Sequence, residues 1–191
     1  MAPQPVNVPV AAVPVPEPTA SAEPPAKPQT LEGLWAEYRR QQASPEGVRP
    51  DFAKQVEEFM NTRGAKYRDQ AVARELPLFA TELLVQAHAA VGDIAAEEKA
   101  LADLADRVER AYGREEAAAR LQKLAERRFC NDADQLGAVK YCDMVLTRYP
   151  DSAAAANALF LVGKYYEENR LREKAAEIYR RVIDLYPASA S

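Results

Sequence analysis

Ala138-Val139-Lys140-Tyr141-Cys142-Asp143-Met144-Val145-Leu146-Thr147-Arg148-Tyr149-Pro150 is answered later in the chain by Ala175-Ala176-Glu177-Ile178-Tyr179-Arg180-Arg181-Val182-Ile183-Asp184-Leu185-Tyr186-Pro187, and the closing prolines stand 37 residues apart. Both segments place apolar residues at helical spacing and end on Tyr-Pro. Self-similarity at this period marks an array of helical pairs, each burying its apolar face against the next. Such arrays bind far more often than they catalyse.

Seven spaced positions of the last copy, Leu159, Val162, Gly163, Tyr166, Ala175, Tyr179 and Pro187, resemble the tetratricopeptide repeat family with every interval kept. The residue types have physical reasons. Gly163 and Ala175 are small where two antiparallel helices approach, Leu159, Tyr166 and Tyr179 fill the space around that contact, and Pro187 stops the second helix. The preceding copy keeps Phe129, Ala138, Val145 and Pro150 but carries Gln122, Ala125 and Glu126 where a large apolar residue, an apolar residue and a glycine are expected. The period is about three residues longer than the family's usual 34, the extra length falling within Asp151 to Ala155. Tyr-Pro-Asp-Ser before an alanine-rich helix is similar to the repeats of bacterial envelope proteins, among them outer-membrane assembly lipoproteins and cell-division coordinators. The resemblance implies an all-α fold, with antiparallel hairpins stacked as a right-handed α-solenoid that binds a protein or peptide.

Composition fits a helical protein: 48% hydrophobic and 28% charged residues with 7 glycines in 191. A folded part of about 155 residues is long enough to bury a core. The net charge of −4 argues against nonspecific nucleic-acid binding, which needs a basic excess. No apolar run approaches the roughly 18 residues of a membrane span.

Nine of the 14 prolines lie between Pro3 and Pro28, so residues 1–29 read as a disordered tether. A docking site for a proline-binding groove is the alternative. No signal peptide is visible, which makes a cytoplasmic location the default; a periplasmic or envelope location follows if Met1 is not the native start.

From Thr30 the reading is helical. Thr30 caps a helix with Leu31, Leu34, Trp35 and Tyr38 on one face. This helix either lies against its own domain or docks a partner. Asp51 caps a helix with Phe52, Val56, Phe59 and Met60 that ends near Gly64. A further helix is expected over 65–76, with Pro77 kinking the chain or starting the next. Leu78 to Val91, a Gly92-Asp93 turn and Ile94 to Tyr112 form a hairpin that extends the stack, although Glu97 occupies a position where the repeat pattern asks for a small residue. Gly113 ends that pair, and the two repeats span 114–187.

Catalytic, metal and cofactor sites are not expected. His88 has no His, Cys, Asp or Glu at ligand spacing. Cys130 and Cys142 fit neither a zinc pattern nor a redox pair, and Cys142 reads as a small buried group. The inner groove is the remaining candidate. The resemblance places Arg120, Lys123, Arg127, Cys130 and Asn131, then Asn157, Phe160, Lys164, Glu167 and Glu168, on the concave surface. Three cations on one helix face would attract an acidic segment or a terminal carboxylate. Arg127 and Leu161 stand where the family's two-carboxylate clamp has asparagines, so chaperone-tail binding is not implied. At the C-terminal end, Tyr179, Val182, Ile183 and Tyr186 would leave apolar surface open, which implies either self-association or a longer protein.

Overall fold

The computed structural model describes residues 30–63, 72–130 and 134–187, so the expected tether, the tail after Pro187, Gly64 and Asn131 lie outside the described residues. Eight α-helices and no strand occur among them: α1 Leu31–Gln42, α2 Phe52–Arg63, α3 Val72–Val91, α4 Ile94–Tyr112, α5 Arg114–Cys130, α6 Gln135–Arg148, α7 Ala153–Glu168 and α8 Arg172–Leu185.

The helix starts follow from side chains that accept otherwise unpaired backbone N–H groups. Thr30 accepts from Gly33 at 3.1 Å, Asp93 from Ala96 at 3.2 Å, Asp134 from Gly137 at 2.9 Å and Ser152 from Ala155 at 3.2 Å. Asp51 has a different role: its carboxylate takes the Gln55 side-chain amide at 3.1 Å. Gly92 and Gly113, at φ 74° and 91°, make the two turns around α4 in backbone conformations that favour glycine.

The helix expected over 65–76 is not separate from the one after it. From Val72 its described part is continuous with residues 78–91, and Pro77 lies inside α3. A proline there removes one helical bond at a cost of about 3 kcal/mol. Burial of Leu78, Ala80, Leu83, Val85 and Ala87 outweighs that loss, each large apolar side chain contributing about 1.5–3 kcal/mol.

Three antiparallel hairpins, α3/α4, α5/α6 and α7/α8, stack in chain order, with α5 also touching α7. The main core runs through this stack from Leu78 to Val162. A second core holds Leu34, Tyr38, Phe52, Val56 and Phe59 against Leu83 and Ala87 of α3, and Leu84 borders both. The α1 helix therefore lays its apolar face on its own chain, with Leu34 and Tyr38 buried and the Trp35 and Tyr38 rings edge to face at 6.1 Å.

The two copies of the repeat end alike. Tyr149 and Tyr186 share φ −132°, with ψ 48° and 58°, and each gives its N–H to the carbonyl four residues back. Their first helices differ in how space is divided. A Cβ at Gly163 would overlap the Tyr179 ring, so the glycine is what lets that ring lie flat against α7. In the preceding copy the ring is replaced by Cys142, fully buried, and the glycine by Glu126. Glu126 is exposed, so the earlier copy does without both the ring and the glycine that makes room for it.

Gly163→Ala is expected to cost about 1–3 kcal/mol in urea denaturation. In a Tyr179→Cys background, which restores the division of space seen around Cys142, the same substitution should cost clearly less. Equal costs in both backgrounds would show that the ring does not set the constraint.

Candidate functional site

Arg128 on α5 is the centre of a buried polar cluster. Its Nε donates to Asp134 at 2.7 Å, and its Nη1 donates to the Tyr141 hydroxyl at 2.9 Å and to Glu97. Tyr141 in turn donates to Glu97 at 2.5 Å. The Arg128 and Glu97 side chains are 12% and 6% exposed, so both charges have left water and depend on each other. Glu97 stands in the first turn of α4, where the helix dipole favours an anion. Gly137 leaves room for Arg128, because a Cβ there would collide with the guanidinium. One residue thus ties α4, α5 and α6 together.

A second tie joins the far end of α4 to α6. Arg148 reaches Asp106 at 2.5 Å and the Tyr149 hydroxyl donates to Glu109 at 2.9 Å. Twelve residues of helix separate Glu97 from Glu109, about 18 Å. Fixing α4 to α6 at both ends sets how the first two hairpins lie on each other.

Burial first, then the hydrogen bond to Glu97, pushes the Tyr141 phenol up. The Tyr149 phenol is pushed up to about 12 by burial and its bond to Glu109. For Asp134 burial acts upward, but the Gly137 N–H and Arg128 outweigh it and hold the carboxyl below its ordinary value. Burial raises the Cys142 thiol to about 12, so it is a protonated core group at neutral pH and not a nucleophile.

Beside the Arg128 cluster lies a pocket of about 300 Å³, walled by α1, α3, α5 and the start of α6. Val85, Ala89, Ala90 and Leu124 give it apolar walls; Tyr38, Gln42, Gln86 and Arg127 bring polar groups. Tyr38 is fixed by donating to the Gln86 carbonyl at 3.3 Å and accepting from Gln42 at 3.0 Å. The pocket exists because α1 folds back over α3.

The structure brings together residues that the sequence set in two separate groups. Tyr38, from the candidate docking helix, and Arg127, from the candidate groove, line the same pocket. Leu34 is buried, and Leu31 and Trp35 are half-buried against the second core. Arg120 pairs with Glu116 at 2.9 Å and lies over the Tyr112 ring, Arg127 pairs with Glu82 at 3.1 Å, and Lys164 pairs with Glu168 at 3.7 Å over the Phe129 ring. Lys123, Asn157 and Phe160 are exposed, and Phe160 stacks on Tyr179 at 5.5 Å instead of reaching the pocket. Cys130 is exposed and Cys142 buried, both free. His88 is half-buried in α3. Among the described residues no group of three or more His, Cys, Asp or Glu is placed to hold a metal ion, and no helix is long and apolar enough to cross a membrane. Arg128, Asp134, Gln42 and Gln86 were not among the sequence candidates. Glu97 carried the only signal, since a charged residue where the pattern asks for a small buried one requires a buried partner.

Among protein-family models, that of the tetratricopeptide repeat matches residues 157–189, which take in α7 from Asn157 onward and all of α8. The C-terminal hairpin is therefore of tetratricopeptide type. Comparison with curated proteins and with solved structures gave no match.

Glu97→Ala leaves Arg128 with Asp134 as its remaining carboxylate and takes away the acceptor of the buried Tyr141 hydroxyl, and is expected to destabilise the chain by about 1–3 kcal/mol in urea denaturation. Asp134 has a depressed value, so its contribution is present above the unfolded carboxylate value near 3.8 and is lost as pH falls through the folded one. Asp134→Asn should accordingly flatten the fall in stability at acid pH and leave that limb otherwise intact.

Proposed function

We propose that this chain is a noncatalytic protein-interaction module whose concave face, lined by α3, α5 and α7, takes an acidic peptide segment with an apolar anchor residue. The observation that carries this reading is the pocket with Val85, Ala89, Ala90 and Leu124 in its walls and Arg127 at its edge; Lys123 and Arg120 stand about one and two turns before Arg127 on α5. An apolar side chain fills the space between Val85, Ala89 and Leu124, while carboxylates of the same segment meet Arg120, Lys123, Arg127 and Lys164. Tetratricopeptide-type hairpins typically serve as interaction modules, which agrees with the repeat matched at 157–189.

The carboxylates already present do not block this. Glu116, Glu82 and Glu168 pair with Arg120, Arg127 and Lys164 at the surface, the cation side chains being 24%, 47% and 45% exposed. Surface pairs of this kind contribute about 0–1 kcal/mol, so a peptide carboxylate replaces them at little cost. Arg128 is unavailable, since Glu97 and Asp134 hold it. Lys123 and Arg127 are thus the residues on which an incoming acid gains most.

A Glu-rich peptide with one leucine, titrated against the full chain by fluorescence anisotropy, tests the reading. Lys123→Glu combined with Arg127→Glu is expected to weaken binding about tenfold or more, with the helical circular dichroism unchanged, and added salt should weaken binding to the unsubstituted chain. Equal affinity for both chains would rule the groove out.

A further inference from the structure

We infer, resting on the groove reading above, that the anchor residue taken by the pocket is aromatic and carries a hydrogen-bond donor on its ring: a tryptophan or a tyrosine of the partner segment. Volume is the first observation. The pocket holds about 300 Å³, whereas an apolar cavity of about 150 Å³ already accommodates a benzene molecule. A leucine side chain is smaller than benzene, so it would leave wall atoms facing empty space and forfeit their dispersion contacts. An indole or a phenol fills more of the room between Val85, Ala89, Ala90 and Leu124.

The polar part of the lining selects the donor. Gln42 gives a side-chain N–H to Tyr38 at 3.0 Å, and Gln86 gives one to Glu82 at 3.4 Å. Each amide so oriented has its carbonyl oxygen as an acceptor at the other end. Asp134 adds a carboxylate that takes the Gly137 N–H and Arg128 and has acceptor capacity beyond them. The donors on the same side are committed: Arg128 donates to Glu97, Asp134 and Tyr141, and the Tyr141 hydroxyl donates to Glu97. The lining is therefore richer in acceptors than in donors left for a ligand. A leucine or phenylalanine displaces water from those acceptors and returns nothing, while an indole N–H or a phenol O–H meets one of them. A carboxylate is disfavoured there, which keeps the acidic residues of the segment outside, at Lys123 and Arg127.

Arg127 favours a ring for a separate reason. It donates to Glu82 at 3.1 Å through an N–H, which lies in the guanidinium plane, and an ion pair in that plane leaves the planar faces for an aromatic group. The chain makes the same contact elsewhere: Arg128 lies over the Tyr141 ring and Arg120 over the Tyr112 ring, each at 5.1 Å. A ring at the pocket edge gains this contact with Glu82 still in place, and an aliphatic anchor does not.

The test uses the full chain and a set of end-labelled Glu-rich peptides that differ only in the anchor, which is tryptophan, tyrosine, phenylalanine or leucine, titrated by fluorescence anisotropy. The Kd is expected to be about tenfold lower for tryptophan and tyrosine than for leucine, with phenylalanine between them. Gln42→Leu combined with Gln86→Leu should remove the advantage of tyrosine over phenylalanine. Ala89→Leu, which fills part of the pocket, should remove the advantage of tryptophan over leucine. Gln42 is exposed and Gln86 and Ala89 are half-buried, so the helical circular dichroism should be kept in each variant. Equal affinity for the leucine and the aromatic peptides, or a tyrosine preference that survives loss of both glutamines, would overturn the inference and leave the groove reading standing. Binding by none of the peptides would overturn the groove reading, and the inference with it.

Discussion

The buried charge on Arg128 is the constraint around which the first two hairpins are arranged. Its guanidinium cannot be deprotonated, so once it is out of water every nearby group must answer it. Glu97 answers from α4, Tyr141 from α6, and Asp134 from the turn before α6. Desolvating the pair offsets much of its attraction, so the cluster adds less to net stability than to fixing one arrangement of three helices over its alternatives. Gly137 shows the same priority from the other side: a site with no room for a Cβ is reserved for the guanidinium.

That arrangement places the pocket. Arg127 and Arg128 are neighbours on α5 with different fates, one buried and saturated, the other 47% exposed at the pocket wall. A one-residue step around a helix turns a side chain by about 100°, enough to separate a structural cation from one available to a ligand. The opposite wall depends on the second core, where Tyr38 packs on Phe52 of α2 at 5.9 Å and its hydroxyl donates to the Gln86 carbonyl of α3. The pocket therefore joins two parts of the chain, a repeat stack and a non-repeat pair of helices.

Most of the fold could be read from the sequence because periodicity and caps are local signals. Thr30 marks a helix start, and Gly92 and Gly113 mark turns, without reference to anything distant. Of the two readings of Pro77, a helix start is excluded by its place inside α3, because its cost is local and the burial that overrides it is not. The pocket was legible only in halves for the same reason. Tyr38 and Arg127 are separated by 89 positions, and nothing in either neighbourhood says that α1 folds back over α3. Arg128 looked like one more basic residue near a helix end; only the misfit of Glu97 pointed to a buried partner.

The central claim is that the concave face beside α1, and not the outer face made by α4, receives a partner segment. A photo-reactive amino acid placed at Ala90, on the pocket rim, and in a second chain at Glu98, exposed on α4, tests this directly. Irradiated with a Glu-rich, leucine-anchored peptide, the chain is predicted to form adducts from position 90 and none from position 98. Adducts from position 98 with none from position 90 would contradict it.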